Sequence, residues 1–359
     1  MRANVGHLMQ GDLGQWLAGQ TGMRSQAKER AASRWTWAAA GLMPVLAFLW
    51  FGEVWDFGSR SIASFIAIIG AVVWGYQPIA EAKEAIKIGI NSAIAASLGI
   101  SYSHEVEPGA EFEAAKRYGL VPSHQRVRCE DRWHGMLEGH SFNLYEAHCE
   151  ERRGSGRNRR WVTVFRGVII EMGFGRPFRS TSLLQRAGKH RKWFGLGSDA
   201  DSVSFKGHRL DLVDQVHPAF AEKFTLFSDD QVEARVLVHP SYIEHLLRLE
   251  TAFGAKEMRA LFARGDVILA VESSNLFESG TMNPDEDRMR AEETADQIAA
   301  LAGLALAINQ NERGRTMGEA IPPGASPSGN LPQADTGMLE NERPVAAMPR
   351  AGGFGRKGL

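Results

Sequence analysis

Cysteine is scarce in this chain of 359 residues: Cys129 and Cys149 are the only two. That excludes a disulfide framework, and in a domain facing the cytoplasm both are expected to stay free thiols. Charge bias is also missing, with 41 Lys and Arg against 42 Asp and Glu and a formal net charge of −1. Such a balance provides no overall field that would select nucleic acid or acidic substrates. Catalytic signatures are missing too. There is no GxSxG, no phosphate loop with its Lys-Ser/Thr, and no CxxC or HxxxH pair. Gly173-Phe-Gly175 and Gly195-Leu-Gly197 lack the strand, Gly-rich turn and helix context of a nucleotide site and read as turns. No cofactor and no metal are expected, and no internal repeat is seen.

Charge itself is absent from two stretches, residues 35–52 (WTWAAAGLMPVLAFLWFG) and 61–80 (SIASFIAIIGAVVWGYQPIA), which flank the short polar segment 53–60. A helix needs about 20 mainly apolar residues to cross a hydrocarbon core about 30 Å thick, so the pair reads as a transmembrane helical hairpin. Trp35 and Trp37 start the first run, Trp50 and Trp55 close it, and Trp74 and Tyr76 lie near the end of the second, positions that suit the headgroup level. Pro44 would break a soluble helix but is tolerated as a kink in a span. Ala63, Ala67, Ala71 and Gly75 recur at i+4 and form a small-residue ridge where another helix, the first span or a second copy, can approach closely.

Basic residues set the orientation. Arg24, Lys28, Arg30 and Arg34 precede the first run and Lys83 and Lys87 follow the second, while the connection holds Arg60 beside Glu53 and Asp56. Both termini are therefore expected on the cytoplasmic side of the membrane. A cleaved signal peptide is disfavoured, because the apolar stretch starts late, lacks a small-x-small cleavage site and is followed at once by another.

Along the chain, residues 1–34 read as a partly helical, amphipathic cytoplasmic segment, the hairpin occupies 35–80, and 81–109 reads as a helical stalk or linker. Residues 110–309 read as one α+β soluble domain, with strands clustered first (136–137, 141–148, 161–165, 168–172, 202–205, 209–213) and helices later. Ser228-Asp-Asp-Gln231 fits a capping box, Pro240 opens an amphipathic helix, 267–271 (VILAV) is a buried-type strand, and Asn283-Pro284-Asp285-Glu286 starts a long helix to about Ile308. Beyond residue 310 the chain is rich in Pro and Gly and reads as a disordered tail.

The ordered series YGLVP, CEDRWHGMLEGHSFNLYEAH, VFRGVIIEMGFGRPF, FTLFSDDQVEARVLVHPSYIEHLL and VILAVESSNLFE resembles an uncharacterised bacterial family, domain of unknown function 3137, over most of residues 35–310. The resemblance implies a membrane protein with two spans near its N-terminus. It implies no activity.

Three groups of side chains remain as candidates. Glu130, Asp131 and His134 bring two carboxylates and an imidazole together in sequence, a combination that acid-base chemistry uses. Glu146 and His148 share a strand face, and Cys129, His134, His140 and Cys149 can be drawn as metal ligands, but without ligand spacing they read as ordinary hydrogen-bonded residues. Two basic loops carry Arg152, Arg153, Arg157, Arg159 and Arg160, and Lys189, Arg191 and Lys192, where each cation near anionic lipid contributes about 1 kcal/mol. They lack the interleaved aromatics of an RNA site. The resulting expectation is a non-enzymatic, membrane-anchored interaction domain for a protein or anionic lipid partner, without nucleic acid. A membrane-tethered hydrolase using Glu130, Asp131 and His134 is the alternative.

Overall fold

The computed structural model describes residues 2–52, 56–137, 139–173, 178–187, 200–205, 207–214, 217–263, 265–274 and 276–308. The expected tail at 310–359 and the basic loop with Lys189, Arg191 and Lys192 lie outside the described residues. The helices are α1 (Val5–Gln10), α2 (Asp12–Gly19), α3 (Thr21–Phe51), α4 (Phe57–Ser97), α5 (Ala110–Arg117), α6 (Pro218–Lys223), α7 (Gln231–Leu237), α8 (Pro240–Ala252) and α9 (Asp287–Ile308). The strands are β1 (Ser101–Val106), β2 (Arg126–Leu137), β3 (His140–Arg153), β4 (Arg160–Gly173), β5 (Ser182–Arg186), β6 (Ser202–Phe205), β7 (His208–Leu212), β8 (Phe224–Ser228), β9 (Glu257–Ala263) and β10 (Asp266–Glu272). The chain divides into two units, Asn4–Ala93 with Glu278–Glu292, and Ile94–Phe277 with the stretch from Glu293.

In the first unit, α4 is the one helix among the described residues that is long and apolar enough to cross a membrane. The expected pair of spans is thus reduced to one by length and composition. The reason lies in α3, whose first half (Thr21 to Arg34) is polar and basic and whose apolar part stops at Phe51. The N-terminal amphipathic segment becomes α1 and α2, with Leu13 and Leu17 buried. The Trp16 ring lies on Gly89 of α4 so closely that a Cβ there would come within 2.0 Å of it. In the same unit Arg24 of α3 donates twice to Asp287 at the start of α9, at 2.6 and 2.8 Å, with both side chains buried.

The second unit is built on a ten-stranded antiparallel sheet in the order β1-β2-β3-β4-β10-β9-β5-β8-β7-β6. Its central strands carry continuous apolar runs, Val168 to Ile170 in β4 and Val267 to Val271 in β10, because both faces are covered. On one face Phe112 and Ala115 of α5 close over Cys129, Tyr145, Cys149, Phe165 and Ile169. On the other, the register aligns Leu144, Ile170, Leu269, Ala260, Leu184 and Leu226 in a buried row across six strands. Tyr242 of α8 meets the Phe262 ring of β9 at 5.8 Å, and His239 at the head of α8 hydrogen-bonds the Ala307 carbonyl of α9 at 2.9 Å.

Several local expectations change. Residues 101–106, inside the expected helical stalk, form β1, whose alternation keeps Tyr102, His104 and Val106 more buried than Ser101, Ser103 and Glu105. The helix start at Ser228-Asp-Asp-Gln231 is capped by Asp230, which accepts from the Val232 and Glu233 amides, while Ser228 ends β8. Asn283 accepts from the Asp285 amide and opens a single 3-10 turn, Pro284–Glu286, that leads into α9.

Candidate functional site

The α3 and α4 pair carries an unusual surface. Trp37, Met43, Phe48 and Phe51 of α3 and Phe57, Ile62, Phe65, Ile66 and Val73 of α4 are all more than 60% exposed. Isolated exposed apolar residues are ordinary, but a contiguous belt of this kind marks an interaction with a membrane or a partner. Over residues 35–80 the described residues that the two helices bury are small ones, Ser64, Gly75 and Pro78. Ala63, Ala67 and Ala71 are only partly exposed and Gly75 is buried, and a Cβ on Gly75 would come within 2.8 Å of the Trp35 ring, so α3 occupies that end of the ridge. Trp50 donates its indole N–H to Ser64 Oγ at 3.2 Å.

Each end of the pair is closed by an arginine. Pro78 sits inside α4, and because proline has no N–H the carbonyl of residue 74, four positions back, loses its helical donor. Arg34 of α3 supplies one: its Nη1 donates to Trp74 O at 3.2 Å and to Gln77 Oε1 at 3.0 Å, with the guanidinium 5.5 Å from the Trp74 ring centre. At the opposite end Arg60 of α4 reaches the Trp50 carbonyl of α3 at 3.4 Å, and Trp50 meets Phe57 edge to face. Lys83 lies 3.3 Å from Tyr76 Oη at the same end as Arg34.

In the sheet unit, Glu130, Asp131 and His134 do not converge. Two residues of β2, Asp131 and Arg132, stand where β3 supplies one, and this bulge sends the flanking side chains in different directions. Asp131 adopts φ +56 and is fully buried, and one of its oxygens accepts from Tyr102 Oη at 2.5 Å and faces His104 Nδ1 at 2.9 Å. Glu130 pairs across the strands with Glu146 and lies 3.5 Å from Arg128. His134 follows the buried Trp133 and so projects from the other side of the sheet. Phe277, the other non-glycine residue with positive φ among those described, packs its ring at a tilt against Trp133, 5.3 Å between ring centres. The Tyr102, His104 and Asp131 cluster has no signal in the sequence, where residues 101–106 read as part of a helical stalk.

The opposite face holds a second polar group. Arg132 donates to Asn143 at 2.9 Å, Asn143 pairs with Glu171 on β4, and Glu171 pairs with Ile268, two residues from Asp266. Burial, reinforced by the Glu111 and Asp266 carboxylates and only partly offset by Arg132, pushes Glu171 up to about 7. Burial also pushes both thiols up to about 12. Among the described residues no group of three or more His, Cys, Asp or Glu is arranged to hold a metal ion. His148 hydrogen-bonds Thr163 at 2.8 Å.

The first basic loop is the end of the β3 and β4 hairpin. Arg152, Arg153, Arg159 and Arg160 are exposed there, and the Arg157 side chain lies outside the described residues. Two neighbours absent from the sequence reading join them: Trp161, 42% exposed, and Arg126, whose guanidinium sits 4.2 Å from the Trp161 ring centre and bonds Glu150 at 2.6 Å.

Fold and surface together define a mixed helix and antiparallel-sheet protein carrying one helix long and apolar enough to cross a membrane. Residues 163–310, from within β4 to the end of α9, match the family model described as protein of unknown function DUF3137, which supports the sequence resemblance over that stretch. The crystal structure of the mycobacterial trehalose monomycolate transport factor A, TtfA, is similar at a TM-score of 0.31 and 13% identity, over 61% of this chain and 94% of that one, a likeness too slight to bear on function. No curated protein sequence matches the chain.

Proposed function

We propose that this is a membrane-anchored interaction protein of the bacterial inner membrane, in which α3 and α4 cross the bilayer side by side and both termini remain cytoplasmic. The observation that carries the reading is the apolar belt on the outside of both helices, bounded at each end by an arginine that donates to the other helix's backbone. A backbone carbonyl freed by proline is costly in hydrocarbon, and a donor from the neighbouring helix removes that cost. The apolar part of α3 covers about 25 Å at 1.5 Å per residue, short of a typical core but within what local thinning of the bilayer accommodates. Orientation rests on Lys28, Arg30, Arg34 and Lys83, since Arg24 and Lys87 are engaged by Asp287 and Glu278. The sheet unit then serves as a binding module held near the membrane for a protein or anionic lipid partner. Hydrolysis by Glu130, Asp131 and His134 is disfavoured by their divergence at the β2 bulge.

Ser59→Cys tests the topology, and the native chain is the blank because Cys129 and Cys149 are buried. An impermeant thiol reagent is expected to label the variant in intact cells; labelling only after lysis would overturn the orientation. Ile66→Arg places a charge in the belt, which at the centre of a span costs about 2.5–3.5 kcal/mol. The variant is expected to lose retention in the membrane pellet under alkaline extraction. Unchanged retention would mean that this belt does not face lipid.

A further inference from the structure

The end of the β3 and β4 hairpin outruns the sheet around it. β2 reaches β3 only as far as the pair Arg126 and Glu150, and β10 reaches β4 only as far as the pair Glu272 and Gly167. The pairs Glu151 with Val162, Arg152 with Trp161 and Arg153 with Arg160 continue beyond both neighbours as a two-stranded ribbon. An isolated two-stranded ribbon is marginal in water, and like charges directly opposite each other weaken it further. Yet this one places Arg153 opposite Arg160 and adds Arg152 and Arg159. Glu151 engages Arg153 at 2.9 Å and Glu150 engages Arg126, while Arg152, Arg159 and Arg160 have no ion pair among the described residues. Trp161 remains partly exposed, its ring braced by Arg126.

We infer that this ribbon is a membrane-surface finger that takes up the phosphates of anionic phospholipids, with Trp161 at headgroup level. The inference rests on the membrane-anchored reading above and names the partner of that module. Unpaired guanidiniums on an exposed ribbon suit a plane of phosphates. An indole with one apolar edge and one N–H suits the interface between headgroup and acyl chain. Tethering the chain to the same bilayer raises the effective lipid concentration without any new contact.

The test uses the full chain in lipid nanodiscs, with a bimane fluorophore on Asn158→Cys at the ribbon's turn and nitroxide-labelled lipid headgroups as quencher. Quenching is expected in phosphatidylglycerol-containing discs, falling with added salt and absent in phosphatidylcholine discs. Replacing Arg152, Arg153, Arg159 and Arg160 by Gln is expected to weaken the attachment on the order of 1,000-fold, and Trp161→Ala to shorten it without removing its salt dependence. Equal quenching in both lipids, or none in either, overturns the proposal. So does tight binding of duplex DNA that the four-Gln variant loses while wild-type discs show no quenching. If the chain is not retained in discs at all, the anchoring reading fails by itself. The finger is then tested by adding phosphatidylglycerol vesicles to the same labelled protein, where absence of quenching overturns it too.

Discussion

The α3 and α4 pair and the ten-stranded sheet are built inside out relative to each other. Over residues 35–80 the helices bury small residues, tie themselves together by arginine-to-carbonyl contacts at the two ends, and turn Phe, Ile, Val and Trp outward. The sheet buries Leu144, Ile170 and Leu269 and turns charges outward. The same apolar side chain therefore has opposite worth in the two places. In the sheet it is removed from water by folding, while in the belt it remains on the surface after folding and is satisfied only by something outside the chain.

The strongest way to break that comparison is to truncate one residue of each kind. Leu144→Ala opens a cavity in the row that crosses six strands, where such losses cost about 2–5 kcal/mol. Phe65→Ala removes a larger side chain that is 65% exposed and is expected to leave the stability of the sheet unit within about 0.5 kcal/mol. Chemical denaturation of detergent-solubilised protein, followed by tryptophan fluorescence, checks both. A Phe65→Ala loss as large as that of Leu144→Ala would show that the belt is packed on protein.

A smaller effect sharpens the sheet side. Glu171 has its carboxyl pushed up to about 7 from an ordinary 4.5, first by burial and then by Glu111 and Asp266. The folded state therefore holds this proton more tightly than the unfolded chain between those two values, and unfolding releases it. Stability from this group is present in full below pH 4.5 and declines as pH rises to about 7, by up to about 3 kcal/mol at 1.4 kcal/mol per unit. Glu171→Gln is expected to flatten the pH 5 to 8 stretch of the stability profile. A native profile that rises across that stretch, with the variant's slope unchanged, would dismiss the carboxyl as its source.

How much was legible follows from the range of each interaction. β10 is legible because both of its faces are buried and the sequence shows it as a continuous apolar run, whereas β4 reads as two strands around Gly167 and is one, Arg160–Gly173. The start of α9 was readable because Asn283 caps within two residues. β1 and β9 were not: SYSHEV is an edge strand with one polar row, and EMRALFA interrupts its apolar residues with Arg259. The proximity of Glu130, Asp131 and His134 in sequence misled because a bulge undoes the alternation on which a shared face depends. Their true neighbours, Tyr102 for Asp131 and Arg126 for Trp161, are 29 and 35 positions away and could be found only through the strand register.

The smallest effect falls on the helix pair. In the sequence Pro44 reads as the kink of the first run, whereas the structure provides a partner for the carbonyl that Pro78 frees in the second. Arg34→Gln shortens the side chain and removes the charge, leaving Trp74 O without that donor, a loss of about 1 kcal/mol where water can replace the donor and about 1–3 kcal/mol where it cannot. Pro78→Ala restores the helical N–H and makes the donor unnecessary. Arg34→Gln is accordingly expected to lower the thermal midpoint of the solubilised chain by a few degrees, and Arg34→Gln with Pro78→Ala to recover most of it. If the double variant falls by the sum of the two single losses, Arg34 is acting through Gln77 or the Trp74 ring, and the carbonyl is satisfied from elsewhere.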